Sequence, residues 1–183
     1  RSGLRVIAGS KKGMRITAPP GEETRPTTDK VREAIFGSIQ FDISGARVLD
    51  LFAGSGAMGV EALSRGADEC VFCDVSKAAA KAVSQNAAPF EGSYTLVHGD
   101  FERALELPGQ YDFIFLDPPY KSGFYERAIN RIMELDKLKP NGKLIVEHDA
   151  PLPKVQCGLK TLREKKYGKT LVTFLGRIDE GED

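Results

Sequence analysis

Four consecutive residues in the second half of the chain are suited to chemistry on a planar amino group: Asp117, Pro118, Pro119 and Tyr120. They follow an apolar run at residues 113–116 that is typical of a buried strand. The two prolines lack an N–H and hold φ at about −65°, so the sheet ladder cannot continue through them. The Asp117 carboxylate, the following carbonyl groups and the Tyr120 ring are therefore expected at the carboxyl end of a strand. Such a place suits a nucleobase or a planar amide that carries an –NH₂ group.

A glycine-rich turn lies further upstream and contains Gly54, Gly56 and Gly59. Glycines between a strand and a helix permit a tight turn and let a ligand approach the backbone near the helix N-terminus. The same spacing is also used for dinucleotides. However, Asp50 precedes the first glycine by four residues, and its charge would repel a pyrophosphate but suit a cationic, amine-bearing ligand. A plain strand–helix turn is the structural alternative.

Two more carboxylates stand at the ends of predicted strands, at Asp74 and Asp100. Asp74 follows Gly54 by twenty residues, where a carboxylate can accept hydrogen bonds from both hydroxyl groups of a ribose. Asp100 can accept from an adenine amino group, with Phe101 or Val75 against the ring. Each carboxylate also makes sense at a helix N-terminus without any ligand.

These carboxylates would meet at one edge of a sheet only if their strands run parallel. Apolar strands that alternate with helices indicate an α/β fold with a doubly wound, mostly parallel sheet covered on both faces. The predicted strands are 47–52, 70–74, 95–99, 113–117 and 143–147, and the helices lie near 58–65, 77–87, 101–106 and 124–137. An antiparallel hairpin at 159–166 and 170–178 closes the chain and brings the number of strands to seven.

The first forty residues are predicted to form an appendage to this sheet. Two short strands, 5–8 and 14–17, surround a basic turn, and a helix capped by Thr27 or Thr28 follows. We therefore divide the chain into a hairpin-and-helix extension at 1–45, a main domain at 46–178 and an acidic tail at 179–183.

Charge is distributed unevenly along the 183 residues, although the formal net charge is zero. Residues 1–32 carry eight Lys or Arg against three Asp or Glu, and residues 160–177 carry six against one. The segment between them is acidic. Two basic ends fit a polyanion that docks along one side of the protein, and solvated hairpins explain the same charges equally well.

Composition argues against several other classes of protein. No apolar stretch approaches the roughly 18 residues of a membrane span, so a soluble, cytoplasmic protein is expected. Cys70 and Cys73 match C-x-x-C but lie in a strand-like run, and with Cys157 they are too few for a disulfide framework. No metal site is expected.

The order of these residues resembles a known family. Asp50, Gly54-x-Gly56, Asp74, Gly99-Asp100 and Asp117-Pro118-Pro119-Tyr120 are similar to the S-adenosylmethionine-dependent amino-group methyltransferases of nucleic acids. Together with the segment from Thr24 to Glu33 and Gly9-Ser10-Lys11-Lys12-Gly13, the chain resembles the RsmD family of bacterial 16S ribosomal RNA guanine-N2 methyltransferases over residues 4–177. The resemblance implies a class I, Rossmann-like methyltransferase fold.

The resemblance also implies roles for individual residues. The residues implied to bind S-adenosylmethionine are Asp50, Phe52, Ala53, Gly54, Ser55, Gly56, Asp74, Val75, Asp100, Phe101, Arg25 and Thr27. Many relatives have Glu where this chain has Asp74, which keeps the charge on a shorter arm. The implied catalytic residues are Asp117, Pro118, Pro119 and Tyr120, and the implied substrate contacts are Lys11, Lys12, Arg15 and Arg32.

The expected partner is 16S ribosomal RNA within a small-subunit assembly particle, and the protein is expected to be a monomer. An adenine-N6 methyltransferase of DNA or RNA and a protein glutamine methyltransferase use a similar acidic-proline motif. A non-catalytic RNA-binding assembly factor that keeps the pocket is an alternative from another class.

Overall fold

The computed structural model describes residues 3–21, 26–118, 123–152 and 158–178, with no side-chain description at 26–28. A small antiparallel pair, β1 and β2, precedes helix α1, and a seven-stranded sheet follows. The strands are β1 Leu4–Arg5, β2 Arg15–Ile16, β3 Arg47–Leu51, β4 Glu69–Asp74, β5 Tyr94–His98, β6 Tyr111–Leu116, β7 Leu138–His148, β8 Leu159–Tyr167 and β9 Thr170–Arg177. The helices are α1 Pro26–Ile39, α2 Ala57–Ser64, α3 Lys77–Ala87, α4 Phe101–Leu105 and α5 Phe124–Glu134, with a 3₁₀ turn at Ala88–Phe90.

The large sheet has the strand order β5-β4-β3-β6-β7-β9-β8. Strands β5, β4, β3, β6 and β7 pair in parallel, and β9 pairs antiparallel to both β7 and β8. The predicted doubly wound, seven-stranded and mostly parallel sheet is thus confirmed. The order reverses between β3 and β6, which is where open α/β sheets bind ligands.

Two layers of apolar side chains cover the faces of this sheet. One core contains Phe36 of α1, Val60 of α2 and Val83 of α3, and the other contains Phe101 of α4 and Ile129 of α5. Central strands that are buried on both faces need apolar residues at nearly every position. Asp50 departs from this requirement, because it places a polar side chain within the buried part of β3.

Several predicted boundaries are wrong. The N-cap is not Thr27 or Thr28, because α1 already begins at Pro26, a residue suited to the first helical position. Helix α5 ends at Glu134 rather than at 137, since Asp136 has a left-handed φ of 55°. Strand β7 is longer than predicted and is paired irregularly with β6.

Among the described residues, no helix is both long and apolar enough to cross a membrane. Cys70 and Cys73 lie in β4, as predicted, and belong to the cores on opposite faces of the sheet. Burial raises the pKa of the Cys73 thiol to about 12. The two thiols therefore behave as core residues. The described part of the chain contains no group of three or more His, Cys, Asp or Glu placed to hold a metal.

Candidate active site

Four carboxylates meet at the carboxyl edge of the parallel strands. Asp74 ends β4, Asp100 follows β5 after one residue, Asp117 directly follows β6, and Asp50 lies near the end of β3. The register places Leu51 of β3 beside both Cys73 of β4 and Leu116 of β6. The carboxylates around β3 are therefore neighbours at a single edge.

The glycine-rich turn after β3 is fixed by backbone hydrogen bonds. Phe52 has a left-handed φ of 59°, and Gly54 and Gly56 follow with 59° and 81°. The Ala53 amide donates to the Cys73 carbonyl at 2.9 Å, and the Gly56 amide donates to the Ala53 carbonyl at 2.7 Å. These hydrogen bonds fix the turn at the carboxyl end of β3, directly before α2 begins.

Gly59 is required for packing rather than for its backbone conformation. A Cβ atom at this position would lie 2.3 Å from the ring of Phe72 and 2.6 Å from the sulfur of Cys70. Only a residue without a side chain lets the first turn of α2 approach β4 this closely.

Asp50 is almost completely buried and accepts a hydrogen bond from the Gly59 amide at 3.0 Å. Its pKa is raised from 3.8 to about 8: burial is the main cause and the nearby charges of Asp117 and Asp74 add to it, while the hydrogen bond from Gly59 opposes the shift. A positively charged ligand beside Asp50 would favour its ionised form. The site is thus electrostatically suited to a cation.

Asp74 and Asp100 both hold the local backbone. Asp74 accepts from the Gly54 amide at 2.9 Å through one oxygen and from the Ser76 amide at 2.9 Å through the other. Asp100 accepts from the Glu102 amide at 2.9 Å and caps α4. Asp100 is thus the N-cap of α4, as the structural alternative predicted. Each carboxylate oxygen has a second lone pair that remains available to a ligand.

Three aromatic rings pack together beside these carboxylates. The Phe52 ring lies 5.8 Å from Phe101 and 5.6 Å from Phe124. The guanidinium of Arg127 lies 5.5 Å from the Phe101 ring and 5.6 Å from the Phe124 ring. Phe52 and Phe101 are among the predicted site residues, whereas Phe124 and Arg127 are not. Val75 is 65% exposed at the same edge, which leaves its side chain accessible to a ligand.

Asp117 is exposed and Pro118 is buried, directly after the last residue of β6. Pro119 and Tyr120 lie outside the described residues, as do Arg25 and the side chain of Thr27. The described part of the predicted acidic-proline motif therefore stands next to the glycine-rich turn, on the neighbouring strand.

Asn86 connects the N-terminal segment to this turn and was not predicted from the sequence. Its side-chain amide donates to the Ser55 carbonyl at 2.8 Å and to the Thr17 carbonyl at 2.9 Å, and its oxygen accepts from the Thr17 amide at 2.9 Å. Asn86 is 4% exposed. A polar residue on the helix face that also carries Ala79 and Val83 is the signal that could have identified it.

Residues 3–18 form a docked arm that packs on α2. The buried carboxylate of Glu61 accepts from the amides of Ile7 at 2.8 Å and Ala8 at 3.1 Å, and from Arg65 at 2.8 Å. Arg32 is 1% exposed and donates to the Arg5 carbonyl at 2.6 Å. Arg32, predicted to contact substrate, therefore occupies a position that supports the arm.

The basic turn of the arm lies at the C-terminal end of α2, away from the glycine-rich turn. The Ser10 amide donates to the Ser64 carbonyl at 2.8 Å, and the Lys11 amide donates to the Ser64 hydroxyl at 3.0 Å. The side chains of Lys11, Lys12 and Arg15 are exposed. The turn that carries Lys11 and Lys12 is thus not brought to the carboxylate edge. Arg15 lies in β2, two residues before Thr17, which Asn86 connects to the glycine-rich turn.

Comparisons with known proteins agree with this architecture. The family described as Conserved hypothetical protein 95 matches residues 4–176. YlbH of Bacillus subtilis is 42% identical over 93% of this chain and 97% of its own length. The protein named Ribosomal RNA small subunit methyltransferase D of Escherichia coli is 32% identical over 98% of this chain and 92% of its own length. The solved structure of the Escherichia coli protein yhhF has a TM-score of 0.86 at 32% identity, covering 96% of this chain and 98% of that one.

Proposed function

Because the chain belongs to the RsmD family of ribosomal RNA methyltransferases, we propose that it transfers a methyl group from S-adenosylmethionine to the exocyclic N2 of a guanine in small-subunit ribosomal RNA. The chain spans nearly the whole length of these relatives. The guanine and its amino group are the finer part of the proposal and rest on the family resemblance.

One observation carries the proposal: the acidic-proline motif and the glycine-rich turn follow neighbouring parallel strands. Leu116 of β6 is paired with Leu51 of β3, so Asp117 emerges one strand away from Phe52. Neighbouring strands are about 4.8 Å apart. A donor held by the turn and an acceptor held by Asp117 would thus meet at one edge without movement of either element.

The residues around the turn fit the proposed methyl donor. S-adenosylmethionine supplies a methyl group on a positively charged sulfur, together with an ammonium, a ribose and an adenine. Asp50, whose pKa is raised to about 8 by burial and by neighbouring acids, gains from a nearby positive charge. Asp74 retains acceptor capacity for ribose hydroxyl groups, and Phe101 lies at the start of α4 where the adenine is expected.

The chemical task of the motif is to make a weak nucleophile react. The lone pair of an exocyclic amino group is delocalised into the ring, so the amine is a poor nucleophile. Hydrogen-bond acceptors aimed at the two amino hydrogens, the Asp117 carboxylate and the Pro118 carbonyl, would localise that lone pair and stabilise the positive charge that develops on nitrogen. The nitrogen would form a bond to the methyl carbon as the S–C bond breaks, S-adenosylhomocysteine would leave as a neutral thioether, and the extra proton on nitrogen would pass to water.

The remaining roles complete the proposal. Tyr120 would stack on the target base, Pro119 would help to fix the motif, and Arg25 and Thr27 would cover the donor. Lys11, Lys12 and Arg15 would contact phosphate away from the target base. A monomer that acts in the cytoplasm on small-subunit assembly particles is the proposed setting, and the base must leave its stack to reach the motif.

The test uses S-adenosylmethionine with a labelled methyl group and three acceptors: small-subunit ribosomal RNA, assembled small subunits, and DNA. The RNA and the subunits come from cells that lack this activity. Nucleoside analysis should place the label in N2-methylguanosine from RNA or subunits, with DNA unlabelled. Label in N6-methyladenosine or in protein would overturn the proposal, as would donor binding without any transfer.

A further inference from the structure

The C-terminal hairpin carries exposed lysines at the same edge of the sheet as the candidate active site. Strand β8 is the last strand of the sheet and is exposed over most of its length, including Lys165 and Lys166. Lys169 is exposed in the turn that leads to β9. We call residues 165–169 the basic tip.

The strand register fixes the level of the basic tip relative to the acidic-proline motif. Val146 of β7 is the partner of Leu116, the last residue of β6. One row further along, Glu147 pairs with Val172 of β9, and Val172 pairs with Lys165. Asp117 follows Leu116 by one residue, so Lys165 lies at the level of Asp117. With β7 and β9 between them, the lateral separation is about 15 Å.

The lysines of the tip project from both faces of the hairpin. Lys165 shares its face with Val172, while Lys166 pairs with Leu171 one row further and points to the other face. Within the part of the chain that the structure describes, no ion pair engages Lys165, Lys166 or Lys169. Their ammonium groups are therefore accessible to an external anion.

The acidic residues nearby do not cancel this charge. Glu164 is exposed and accepts a hydrogen bond from the Thr173 hydroxyl at 2.9 Å, which leaves its negative charge in place, so it offsets at most one of the three lysine charges. Glu147 is partly buried in β7 and has its own interaction. Asp149 is exposed beyond β7. The exposed charge at residues 165–169 is thus positive on both faces.

The N-terminal lysines occupy a different part of the molecule. The turn of Lys11 and Lys12 is bound to Ser64, the last residue of α2, whereas α2 starts at the glycine-rich turn. Eight helical residues separate the two ends by about 12 Å along the helix axis. Of the two basic segments, it is the C-terminal one that shares an edge with Asp117.

We propose that the basic tip binds the phosphates of the RNA strand that flanks the target nucleotide. This inference rests on the proposed function, since it takes the acceptor at Asp117 to be an RNA base. Phosphate contacts fix orientation and register without reading sequence. When a base is extruded toward Asp117, the neighbouring nucleotides stay attached to it, so their phosphates must pass close to Asp117. The basic tip lies about 15 Å from Asp117, a distance that a few nucleotides span.

The test compares the salt dependence of RNA binding for Lys165→Gln/Lys166→Gln/Lys169→Gln and the unmodified protein, with a mixed-sequence single-stranded RNA as the probe. Loss of three phosphate contacts should reduce the slope of log K against log salt by about 2, and weaken binding roughly 10- to 100-fold at 0.1 M salt. Binding of S-adenosylmethionine should stay unchanged, because none of the three lysines contacts the glycine-rich turn.

Two variants that each remove one charge distinguish a direct contact with phosphate from an effect of the protein's overall charge. Lys139→Gln removes the same charge as Lys166→Gln, but at the start of β7, at the opposite edge of the sheet. We expect Lys166→Gln to lower the slope by about 0.7 and Lys139→Gln to leave it unchanged. An unchanged slope in the triple variant, or equal reductions of the slope in the two single variants, would refute the proposal that the basic tip binds phosphates. Failure of the unmodified protein to methylate RNA would instead count against the proposed function.

Discussion

Gly9→Ala should undock the N-terminal arm from α2. Gly9 has a φ of 90°, and a Cβ atom built on it would lie 1.9 Å from the Ser64 carbonyl oxygen. No real side chain tolerates that approach, and the obstacle is backbone rather than a flexible side chain. The turn must therefore move away from the end of α2.

The cost follows from the contacts that this movement breaks. The turn makes three hydrogen bonds to Ser64, through the Ser10 amide, the Lys11 amide and the Ala8 carbonyl. At roughly 0.5–1.5 kcal/mol each, their loss lowers the free energy of unfolding by about 1.5–4.5 kcal/mol. The left-handed φ adds about 1–2 kcal/mol of backbone strain for alanine.

Gly13→Ala is the matched control. Gly13 lies in the same turn with a φ of 84°, but a Cβ atom there would meet nothing within 4 Å. This variant should lose only the strain of about 1–2 kcal/mol. Urea denaturation of both variants, with unchanged m values, gives the difference between them. If the two free energies of unfolding agree within about 0.5 kcal/mol, the reasoning about the arm is wrong.

Three further predictions concern the site. Asn86→Leu should weaken S-adenosylmethionine binding about tenfold, or about 1.4 kcal/mol, because the backbone groups of Ser55 and Thr17 lose their hydrogen-bond partner. Calorimetry measures this affinity, and the control variant Gln85→Leu, at an exposed neighbouring position, should bind normally. Asp117→Ala should abolish methyl transfer while donor affinity stays within a few-fold; normal turnover would contradict its role. The folded pKa of Asp50 is raised from 3.8 to about 8, so the folded state binds more protons between these values and stability falls as pH rises through that range. In Asp50→Asn, the free energy of unfolding should fall less steeply with pH, by up to about 1.4 kcal/mol per pH unit. Urea titrations at several pH values measure this slope, and equal slopes for the variant and the unmodified protein would contradict the prediction.

Residues at the carboxyl ends of the strands were predictable, because parallel strands bring these ends to one edge of a sheet. Once β3, β4, β5 and β6 are taken as parallel, Asp50, Asp74, Asp100 and Asp117 must come to one edge. The positions of helices were also predictable to within a few residues from the apolar period. Their ends were less so, because Asp136 adopts a left-handed φ that its residue type only permits.

Contacts between distant segments were not predictable in the same way. Asn86 and Thr17 are 69 residues apart, and Ala8 and Glu61 are 53 apart. Whether a polar side chain on α2 or α3 faces water or another segment depends on where the arm docks, and no local pattern encodes that. The location of Lys11 follows from the same docking, so its charge alone did not reveal that it lies far from Asp117.

The acidic edge is better explained by ligand binding than by folding. Asp50 is buried beside two other carboxylates, Asp117 and Asp74, and its ionised form is disfavoured by both burial and their charge. Packing in β3 would be satisfied by an apolar residue, as at every neighbouring position of that strand except Arg47. The hydrogen bond to Gly59 orients the carboxylate but does not require its charge. A cation at the edge would reverse the penalty, because it favours the ionised form that burial and the neighbouring acids disfavour. Binding of such a cation below about pH 8 should therefore release a proton from Asp50, and its affinity should rise as the pH approaches that value.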